Sequence, residues 1–426
     1  MKTQPLRLAA EVTLGRMRNP SSETGPNQTP YLRAANVRDG ELVLKDIKMM
    51  HFDQAEQVRY SLRSGDVLVT EASGSRAQVG QTAMWDASVP GVAFQNTLVR
   101  LRARPGTHPR FLYWWSRHAH GSGLYGATAQ GLAIWHLSSE RVRPLPFPCL
   151  SIFQQGRTAD FLDVQVGLVD QAIRMRHKQR IKIAQRSDTR VSWLLTNPRL
   201  PGGGSRANYP WLRDDGASFM KLAWVADLQS GLTIDAQRAG SVEYPYLSVA
   251  NVQSDRLDLS VVKTVKLDPR VAARFMLRSG DVLVTEGGDL DKLGRGTVWR
   301  GEIDPCLHQN HVFALRPHPD RLLPEYLAAL TRTHHARRYF EITGSRSTNL
   351  ASTNSSKVLG FRFPLPDVAR QRQILDELQL AEQDDAALDA ALERQIALLQ
   401  ERKQALITAA VTGQFDVTTA RKVSTT

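Results

Sequence analysis

Short stretches of alternating apolar and polar residues fill the first part of the chain, and the same stretches return later. The sequence LRSGDVLVTE occupies Leu62–Glu71 and again Leu277–Glu286. Within it, Ser-Gly predicts a turn, and the β-branched run that follows predicts a buried strand. Because ten identical residues do not arise twice in one chain by chance, we predict two copies of one folded module.

Further segments repeat in the same order. Each copy predicts a helix that starts at a proline, Pro109 in the first and Pro324 in the second. The spacing of the copies far exceeds the roughly 20–50 residues of a solenoid repeat, so each copy is a whole domain. The other matched pairs are Pro30–Val37 with Pro245–Val252, Phe94–Leu101 with His308–Leu315, and Leu145–Pro148 with Phe363–Pro366. Partly alternating residues also predict a strand at Glu41–Ile47 and at Arg256–Lys266.

After each copy the apolar period becomes helical, which predicts two long helices. In the last of them, apolar and small residues recur at alternating steps of four and three, and this spacing predicts a heptad seam. The central helix, Arg157–Leu195, has a weaker seam from Leu162 to Ile173. The seam predicted for the last helix contains Ile374, Leu378, Ala381, Asp385, Leu388, Leu392, Gln395, Leu399, Arg402, Leu406 and Ala409.

The two predicted helices carry opposite charge. The second half of the central helix is rich in arginine and lysine, and the first half of the last helix is rich in aspartate and glutamate. Antiparallel packing places these halves side by side, with Arg176 near Glu393 and Lys182 near Asp385. We therefore predict an antiparallel coiled coil roughly 60 Å long, at 1.5 Å per residue. The alternative is that each helix folds back onto its own domain.

The predicted fold class is α+β: two homologous mixed α/β domains separated by two long antiparallel helices that form a coiled-coil spacer. The domains are residues 1–150 and 197–367, and the helices are residues 151–196 and 368–413. Residues 414–426 are assigned to a tail. The boundary at residue 197 rests on the proline- and glycine-rich segment that starts there.

Charge and composition narrow the class of partner. The chain has 55 Lys and Arg against 42 Asp and Glu, a net charge of +13. The positive electrostatic field of such a chain favours binding of a polyanion such as a nucleic acid. The alternative is a basic protein with no nucleic-acid role. No apolar run approaches the roughly 18 residues of a membrane span, and no secretory signal is visible, so the expected location is cytoplasmic, without a membrane partner. Cys149 and Cys306 are expected to be buried or bystander thiols rather than part of a disulfide framework or a metal site.

Motifs for catalysis are weak. Gly121–Gly126 fits G-x-G-x-x-G but follows a predicted helix, whereas a dinucleotide site needs a strand there, so we predict a flexible loop. A metal-dependent nuclease would need a lysine where Ser73 and Gly288 stand. Asp66 and Asp281 are therefore predicted to have a structural role, in which each side chain hydrogen-bonds the backbone of its own turn. The histidines lack metal-ligand spacing, and no phosphate-binding loop is present. We predict a non-catalytic chain without a metal site of its own.

The loops differ between the copies, although the framework is shared. ASGSRAQVG follows Glu71, whereas GGDLDKLGRG follows Glu286. Base readout needs polar loops that differ in sequence while the scaffold that holds them stays the same. In such loops arginine reads guanine, and asparagine or glutamine reads adenine. A solvated loop position is the alternative for each candidate. The candidate DNA-binding residues are Arg76, Gln78, Thr128 and Gln130 in the first copy, and Lys292, Arg295, Arg346, Thr348 and Asn349 in the second.

The whole pattern resembles the DNA specificity (S) subunit of type I restriction–modification systems, over nearly the full chain. The resemblance is carried by the doubled PYL…ANV, LRSGDVLVTE and Gln-Asn segments. The closing sequence, FPLPDVARQRQIL…LLQERKQALITAAVTGQF, resembles the C-terminal helix of that family. The corresponding central segment, FPCLSIFQQGRTADFL, departs from the proline-glutamine-arginine motif that is usual in that family.

The resemblance implies that each domain is a target recognition domain for one half of a bipartite site in double-stranded DNA. It also implies that the helices act as a ruler and as a dock for two methyltransferase (M) subunits, with restriction (R) subunits joining for cleavage. S-adenosylmethionine and ATP would be bound by those partners, and no cofactor by this chain.

Other function classes stay open at this point. One is a protein-interaction scaffold, whose binding would be insensitive to salt. Another is a fused nuclease or methyltransferase, which the missing motifs oppose. A third is a DNA-reading subunit of a different phage-defence system.

Overall fold

The computed structural model describes residues 2–18, 28–196, 219–235, 240–254, 256–288, 293–346, 351–415 and 417. It divides into two compact units. Unit 1 consists of Met1–His177 with Glu393–Thr426, and unit 2 is Lys178–Leu392. The division between the units falls within both long helices, whereas the domain limits predicted from the sequence treat each helix as a separate segment. Those limits stay a prediction.

The strands described in unit 1 are short, and most of them have a counterpart in unit 2. They are β1 (Thr3–Pro5), β2 (Ala10–Leu14), β3 (Gln28–Leu32), β4 (Val37–Arg38), β5 (Glu41–Leu42), β6 (Lys48–His51), β7 (Val67–Thr70), β8 (Ala72–Ser73), β9 (Thr82–Met84), β10 (Ala93–Phe94), β11 (Leu98–Ala103), β12 (Trp135–His136) and β13 (Pro146–Pro148).

The strands described in unit 2 continue the numbering. They are β14 (Phe219–Lys221), β15 (Ala226–Ser230), β16 (Val242–Leu247), β17 (Lys263–Leu267), β18 (Val282–Thr285), β19 (Gly287–Gly288), β20 (Gly296–Val298), β21 (Leu307–His308), β22 (Val312–Pro317), β23 (Ser345–Arg346), β24 (Ala351–Ser352) and β25 (Arg362–Pro364).

Short helices lie between the strands, and two long ones follow β13 and β25. The helices are α1 (Leu6–Ala9), α2 (Gln54–Tyr60), α3 (Pro109–Gly121), α4 (Leu124–Thr128), α5 (Ser139–Val142), α6 (Ile152–Thr196), α7 (Pro269–Ala272), α8 (Pro324–Thr331), α9 (His334–Thr343), α10 (Ser355–Leu359) and α11 (Val368–Val411). As predicted, α3 and α8 begin at a proline.

Each unit is built on a four-stranded antiparallel sheet. The strand order is β2-β11-β7-β9 in unit 1 and β15-β22-β18-β20 in unit 2, so the order is the same. A three-stranded sheet also matches, β6-β3-β10 in one unit and β17-β16-β21 in the other. The two LRSGDVLVTE segments therefore supply equivalent strands, β7 and β18. Both strands are buried along their whole length, which confirms the prediction made from their β-branched residues.

Two predicted strands are shorter than expected. Of Glu41–Ile47 only the first two residues form a strand, and of Arg256–Lys266 only the last four. In both units an asparagine side chain holds the rest of the segment in a turn. The Asn36 amide donates to the carbonyl oxygens of residues 43 and 46, and the Asn251 amide donates to those of residues 258 and 261. A carbonyl that accepts from a side chain in this way does not enter a strand ladder.

The glycine-rich segment Gly121–Gly126 is not the predicted flexible loop. It ends α3, turns at Gly123 with a φ of 79°, and starts α4. Tyr125 is fully buried, and its hydroxyl lies 2.8 Å from Ser116 Oγ. The buried aromatic ring fixes the segment against the core, which the glycine spacing alone could not reveal. Because a helix precedes the segment, it also lacks the geometry of a dinucleotide site.

The aspartate of each LRSGDVLVTE segment is buried and structural. Asp66 is 1% exposed, accepts the Arg63 backbone N–H at 2.7 Å, and receives Arg102 through two hydrogen bonds. In unit 2, Asp281 accepts from the Arg278 N–H and from Arg316 in the same way. The prediction that these carboxylates serve their turns is confirmed.

The ends of the long helices belong to the hydrophobic cores of the units. In unit 1 the core contains Leu162 and Val166 of α6 and Ile407 of α11. In unit 2 it contains Leu195 of α6 and Ile374 of α11. The apolar ends are therefore buried against sheets and short helices, and the charged middle parts of the helices must be stabilised in another way.

The seam of α11 departs from a strict heptad. Leu388 is 44% exposed and Arg402 is also exposed, so these two predicted seam positions are wrong. Gln395 is exposed too, but it accepts a hydrogen bond from Arg176 of α6 at 2.7 Å and so faces that helix. The inward-facing positions advance at a mean of about 3.6 residues, the period of a straight helix, rather than at 3.5. They are Ile374, Leu378, Ala381, Asp385, Asp389, Leu392, Ile396, Leu399, Lys403, Ile407 and Ala410.

Polar pairs join α6 to α11 within each unit. In unit 2, Arg180 makes two hydrogen bonds with Asp389, and Asp385 is paired with Arg186 rather than with the predicted Lys182. In unit 1, Lys403 donates to Asp170 and Arg176 Nε donates to Gln395 Oε1, both at 2.7 Å. Residue numbers rise along one helix as they fall along the other, so the segments in each unit are antiparallel. The hydrogen bond from Arg180 holds the pKa of Asp389 below its usual range.

Replacing the buried aspartate tests its structural role. Asp66→Ala leaves Arg102 without its counter-charge and the Arg63 N–H without its acceptor. We expect the free energy of unfolding to fall by about 3–5 kcal/mol, measured by urea unfolding with tryptophan fluorescence. The matched control is Asp160→Ala, which removes a surface ion pair with Arg110 and is expected to cost about 0–1 kcal/mol. Equal losses for the two variants would contradict the assignment.

Candidate functional site

The variable loops of both units start from the same hydrogen-bonded glutamate. The backbone N–H of Glu71 donates to Thr97 O, and its carbonyl oxygen accepts from the Leu137 N–H. In unit 2 the N–H of Glu286 donates to His311 O, and its carbonyl accepts from the residue 353 N–H. The framework is thus the same up to the residue at which the two loop sequences diverge.

In unit 1 two distant segments meet beyond this glutamate. Strand β8 pairs with β12, which brings the loop at residues 74–80 beside residues 124–137. The Arg76 guanidinium lies over the Trp135 ring, 5.1 Å from its centroid, and Arg76 Nε donates to Gly126 O at 2.7 Å. His136 Nδ1 lies 3.1 Å from the Glu71 carboxylate at the base of the cluster. An arginine held in this way is exposed at a defined position.

The other candidates of unit 1 lie in the same cluster with different local roles. Gln78 and Gln130 are exposed, and the Gln130 backbone pairs with His136. The Thr128 hydroxyl donates to Leu124 O at 2.8 Å, inside α4, and Thr128 is half-buried. The structure therefore brings the four predicted residues of this unit together. Whether they contact DNA stays a prediction.

In unit 2 only part of the predicted set can be placed. Lys292, Thr348 and Asn349 lie outside the described residues. Arg346 pairs through its backbone with Ala351, in the sheet β19-β24-β23 that corresponds to β8 and β12. Arg295 is half-buried, and its carbonyl accepts from the Thr285 N–H. These residues surround the start of the variable loop, as their counterparts in unit 1 do.

Sequence reasoning missed an apolar loop tip next to Arg76. Leu132 is fully exposed and Ile134 is 54% exposed, between the predicted Gln130 and the stacked Trp135. In protein–DNA complexes, an apolar side chain beside base-reading groups can contact a thymine methyl group, so the predicted set of DNA-binding residues would extend to this tip. The signal in the sequence was GLAIW, an apolar run within an otherwise polar loop.

A cationic cavity of unit 1 was also missed. Its volume is about 540 Å³, and Arg33, Lys48, Arg18, Tyr31, Gln95 and Thr97 are among the lining residues. One carboxylate, Asp46, is shared by Arg33 and Lys48. The hydrogen bond from Lys48 lowers the pKa of Asp46, so the carboxylate is ionised at neutral pH. The lining residues come from four separate segments, two of which had been assigned only to the repeated framework.

The described residues give little support for a metal site, a reactive cysteine or a membrane span. Within these ranges, no group of three or more His, Cys, Asp or Glu is arranged to hold a metal ion. Burial raises the pKa of the Cys306 thiol to about 12, which leaves it protonated and unreactive. Cys149 is exposed. No helix in the described part of the chain has the length and apolar content required to cross a membrane.

Comparison with known proteins gives one sequence relative and several structural ones. No family model matches the chain. A protein of Methanocaldococcus jannaschii, described as a type I restriction enzyme MjaX specificity subunit, is 24% identical over 181 residues. That match covers 42% of this chain and 41% of the relative, so the chain matches about two-fifths of the length of that relative.

Two solved structures align with almost the full length. One chain, from work on complex assembly and conformational transition of the type I R-M system, has a TM-score of 0.68 and 19% identity. The alignment covers 97% of this chain and 98% of that one. The HsdS subunit from Thermoanaerobacter tengcongensis has a TM-score of 0.53 and 19% identity, with 97% of each chain covered. The chain therefore has the mixed α/β fold with long helices of these subunits, and it is similar to the type I restriction–modification specificity subunits.

Proposed function

We propose that this chain is a non-catalytic specificity subunit that reads a bipartite site in double-stranded DNA and directs methyltransferase and restriction subunits to it. The observation that carries the proposal is the divergence of the loops beyond Glu71 and Glu286. Up to these residues the two units share strand order and hydrogen bonds, and beyond them the sequences differ. A duplicated scaffold with unlike loops is suited to reading two unlike half-sites.

DNA is the ligand that fits the chemistry of the loops and of the whole chain. The net charge of +13 favours a polyanion. Arg76, stacked on Trp135, presents a planar fork of donors of the kind that recognises guanine. Gln78 and Gln130 beside it have the amide groups that recognise adenine. We also propose a cytoplasmic location, which is where a DNA-reading role would be exercised.

The long helices are proposed to form an antiparallel spacer that sets the distance between the half-sites. Support comes from the antiparallel pairs found within each unit, such as Arg180 with Asp389 in unit 2 and Asp170 with Lys403 in unit 1. Many such pairs specify orientation because like charges oppose each other in the wrong register.

An apolar face of α6 is proposed to bind one methyltransferase subunit, and a second copy of that subunit is proposed to bind elsewhere on the helices. Val164, Leu168 and Met175 are each more than half exposed in unit 1, at spacings that place them on one side of the helix. Phe153, 76% exposed, precedes them on α6. S-adenosylmethionine and ATP are proposed to be bound by the methyltransferase and restriction subunits, and not by this chain.

Deletion of this chain from its host tests the function. We expect a bipartite adenine-methylation motif, mapped by single-molecule sequencing of genomic DNA, to vanish on deletion and to return with a plasmid copy. A methylation pattern that is the same with and without the chain contradicts the proposal. Binding of the purified chain to duplex DNA that stays constant between 50 and 200 mM salt would instead favour a protein scaffold.

Arg76 is expected to set one base of the motif. Arg76→Ala should relax recognition at a single position, with about 1–3 kcal/mol less discrimination there. The control is Arg104→Ala, because Arg104 is also exposed and also donates Nε to a backbone carbonyl, that of Arg7. Arg104→Ala should leave the motif unchanged. The assignment fails if Arg76→Ala keeps the full motif, or if both variants degrade it.

Shortening the spacer is expected to change the gap between the half-sites. Deleting residues 178–184 together with 386–392 removes Arg180 with its partner Asp389 and shortens both helices by about 10 Å. The preferred gap should then shrink by about three base pairs. The double exchange Arg180→Asp with Asp389→Arg keeps the length and the pair, and should leave the gap unaltered. An unaltered gap in the deletion variant would exclude the ruler.

A further inference from the structure

The cationic cavity of unit 1 has a counterpart position in unit 2, and the backbone contacts define the correspondence. Tyr31 pairs with Lys48 across β3 and β6, as Tyr246 pairs with Lys263 across β16 and β17. The N–H of Gln95 donates to residue 32, as that of Gln309 donates to residue 247. Tyrosine, lysine and glutamine therefore occupy the same places in both units.

The charges at this position have diverged. The N–H of Arg33 donates to the Asn36 side chain, and in unit 2 the N–H of Ser248 donates to Asn251, so a serine stands where unit 1 has an arginine. The Asn36 side chain donates to the carbonyl oxygen of Asp46, and the Asn251 side chain donates to that of Val261, so Val261 stands where unit 1 has Asp46. At the compared positions unit 1 thus has Arg33, Lys48 and one carboxylate, which leaves a net positive charge, and Arg18 also lines the cavity. Unit 2 holds the lysine alone among these positions.

The cavity also adjoins the loop cluster. Thr97 lines it, its hydroxyl accepts from the Ala34 N–H, and its carbonyl accepts from the Glu71 N–H. Glu71 in turn contacts His136 beside Trp135. A ligand in the cavity is therefore close to the segment that carries Arg76. Within the described residues, the side-chain amide of Gln95 makes no hydrogen bond, which leaves it available to a ligand.

We propose that the Arg33–Lys48 cavity binds a phosphodiester of the DNA backbone, and that unit 1 therefore supplies more of the electrostatic hold on DNA than unit 2. The inference rests on the proposed function and assigns affinity to residues separate from those that read bases. Arginine donates to phosphate through a planar fork, and lysine adds a point charge. Asp46 competes with the phosphate for both cations, so it limits the strength of the contact.

Salt-dependent binding of the full chain to a duplex that carries its methylation motif tests the proposal. Each phosphate contact contributes about 0.9 to the slope of log K against log salt. Arg33→Ser, which installs the residue of unit 2, should reduce the slope by about 1 and weaken binding several-fold while the motif stays the same. Asp46→Asn should act in the opposite direction and tighten binding, which a folding defect cannot mimic. Ser248→Ala, at the matched position of unit 2, should change neither quantity.

The outcomes separate this inference from the proposed function. A salt-dependent wild type whose slope is unaffected by Arg33→Ser and Asp46→Asn overturns only the cavity assignment. A wild type without salt-dependent DNA binding overturns the proposed function as well. Titration with inorganic phosphate and with ATP tests whether the cavity binds a free phosphate or nucleotide instead of DNA. If the wild type binds one of these and Arg33→Ser does not, while the salt dependence of DNA binding is the same in both, the DNA assignment is refuted. Lost methylation with intact DNA binding would indicate a partner-protein contact and would equally refute it.

Discussion

A buried aspartate paired with an arginine fixes the framework of each unit. Asp66 and Asp281 are removed from water, and a buried carboxylate is tolerated only where charge and hydrogen bonds compensate it. Each receives a two-bond contact from an arginine on the neighbouring strand and a backbone N–H from its own turn. The turn, the buried strand and its neighbour are thereby held in one geometry. This requirement explains why the same aspartate occurs in the LRSGDVLVTE segment of both units.

The rigid framework permits the loops to differ. Glu71 and Glu286 lie at the end of the buried strand and make the same backbone hydrogen bonds, although the residues after them are unlike. Side chains that extend from such a fixed base need little ordering when a ligand arrives, and this lowers the entropic cost of binding. In unit 1 the Trp135 ring reduces that cost further, because it holds Arg76 in place before any contact with a ligand.

The sequence was sufficient to predict the repeated framework, the proline-initiated helices and the antiparallel pairing of helix segments, because local propensity and charge determine them. It was insufficient where distant segments meet. The inward positions of α11 include Asp389 and Lys403, which no apolar pattern selects, since their partners Arg180 and Asp170 lie on another helix. Tyr125 converts an apparent glycine loop into a helix through burial. The cavity joins Arg33 and Gln95, from segments that had been interpreted only as framework, to Lys48, whose segment carried no functional assignment.

Affinity and base readout have different physical requirements, and the proposed roles assign them to different residues of unit 1. A phosphate contact is the same at every sequence, so Arg33 and Lys48 would add binding energy without selecting a base. Arg76 adds selectivity only if a base edge comes within its reach. If Asp46 partly neutralises these cations, non-specific binding to DNA is weakened. A DNA reader has to limit non-specific binding because non-specific sites far outnumber its target. The shared carboxylate can thus be understood as a limit on affinity that protects specificity.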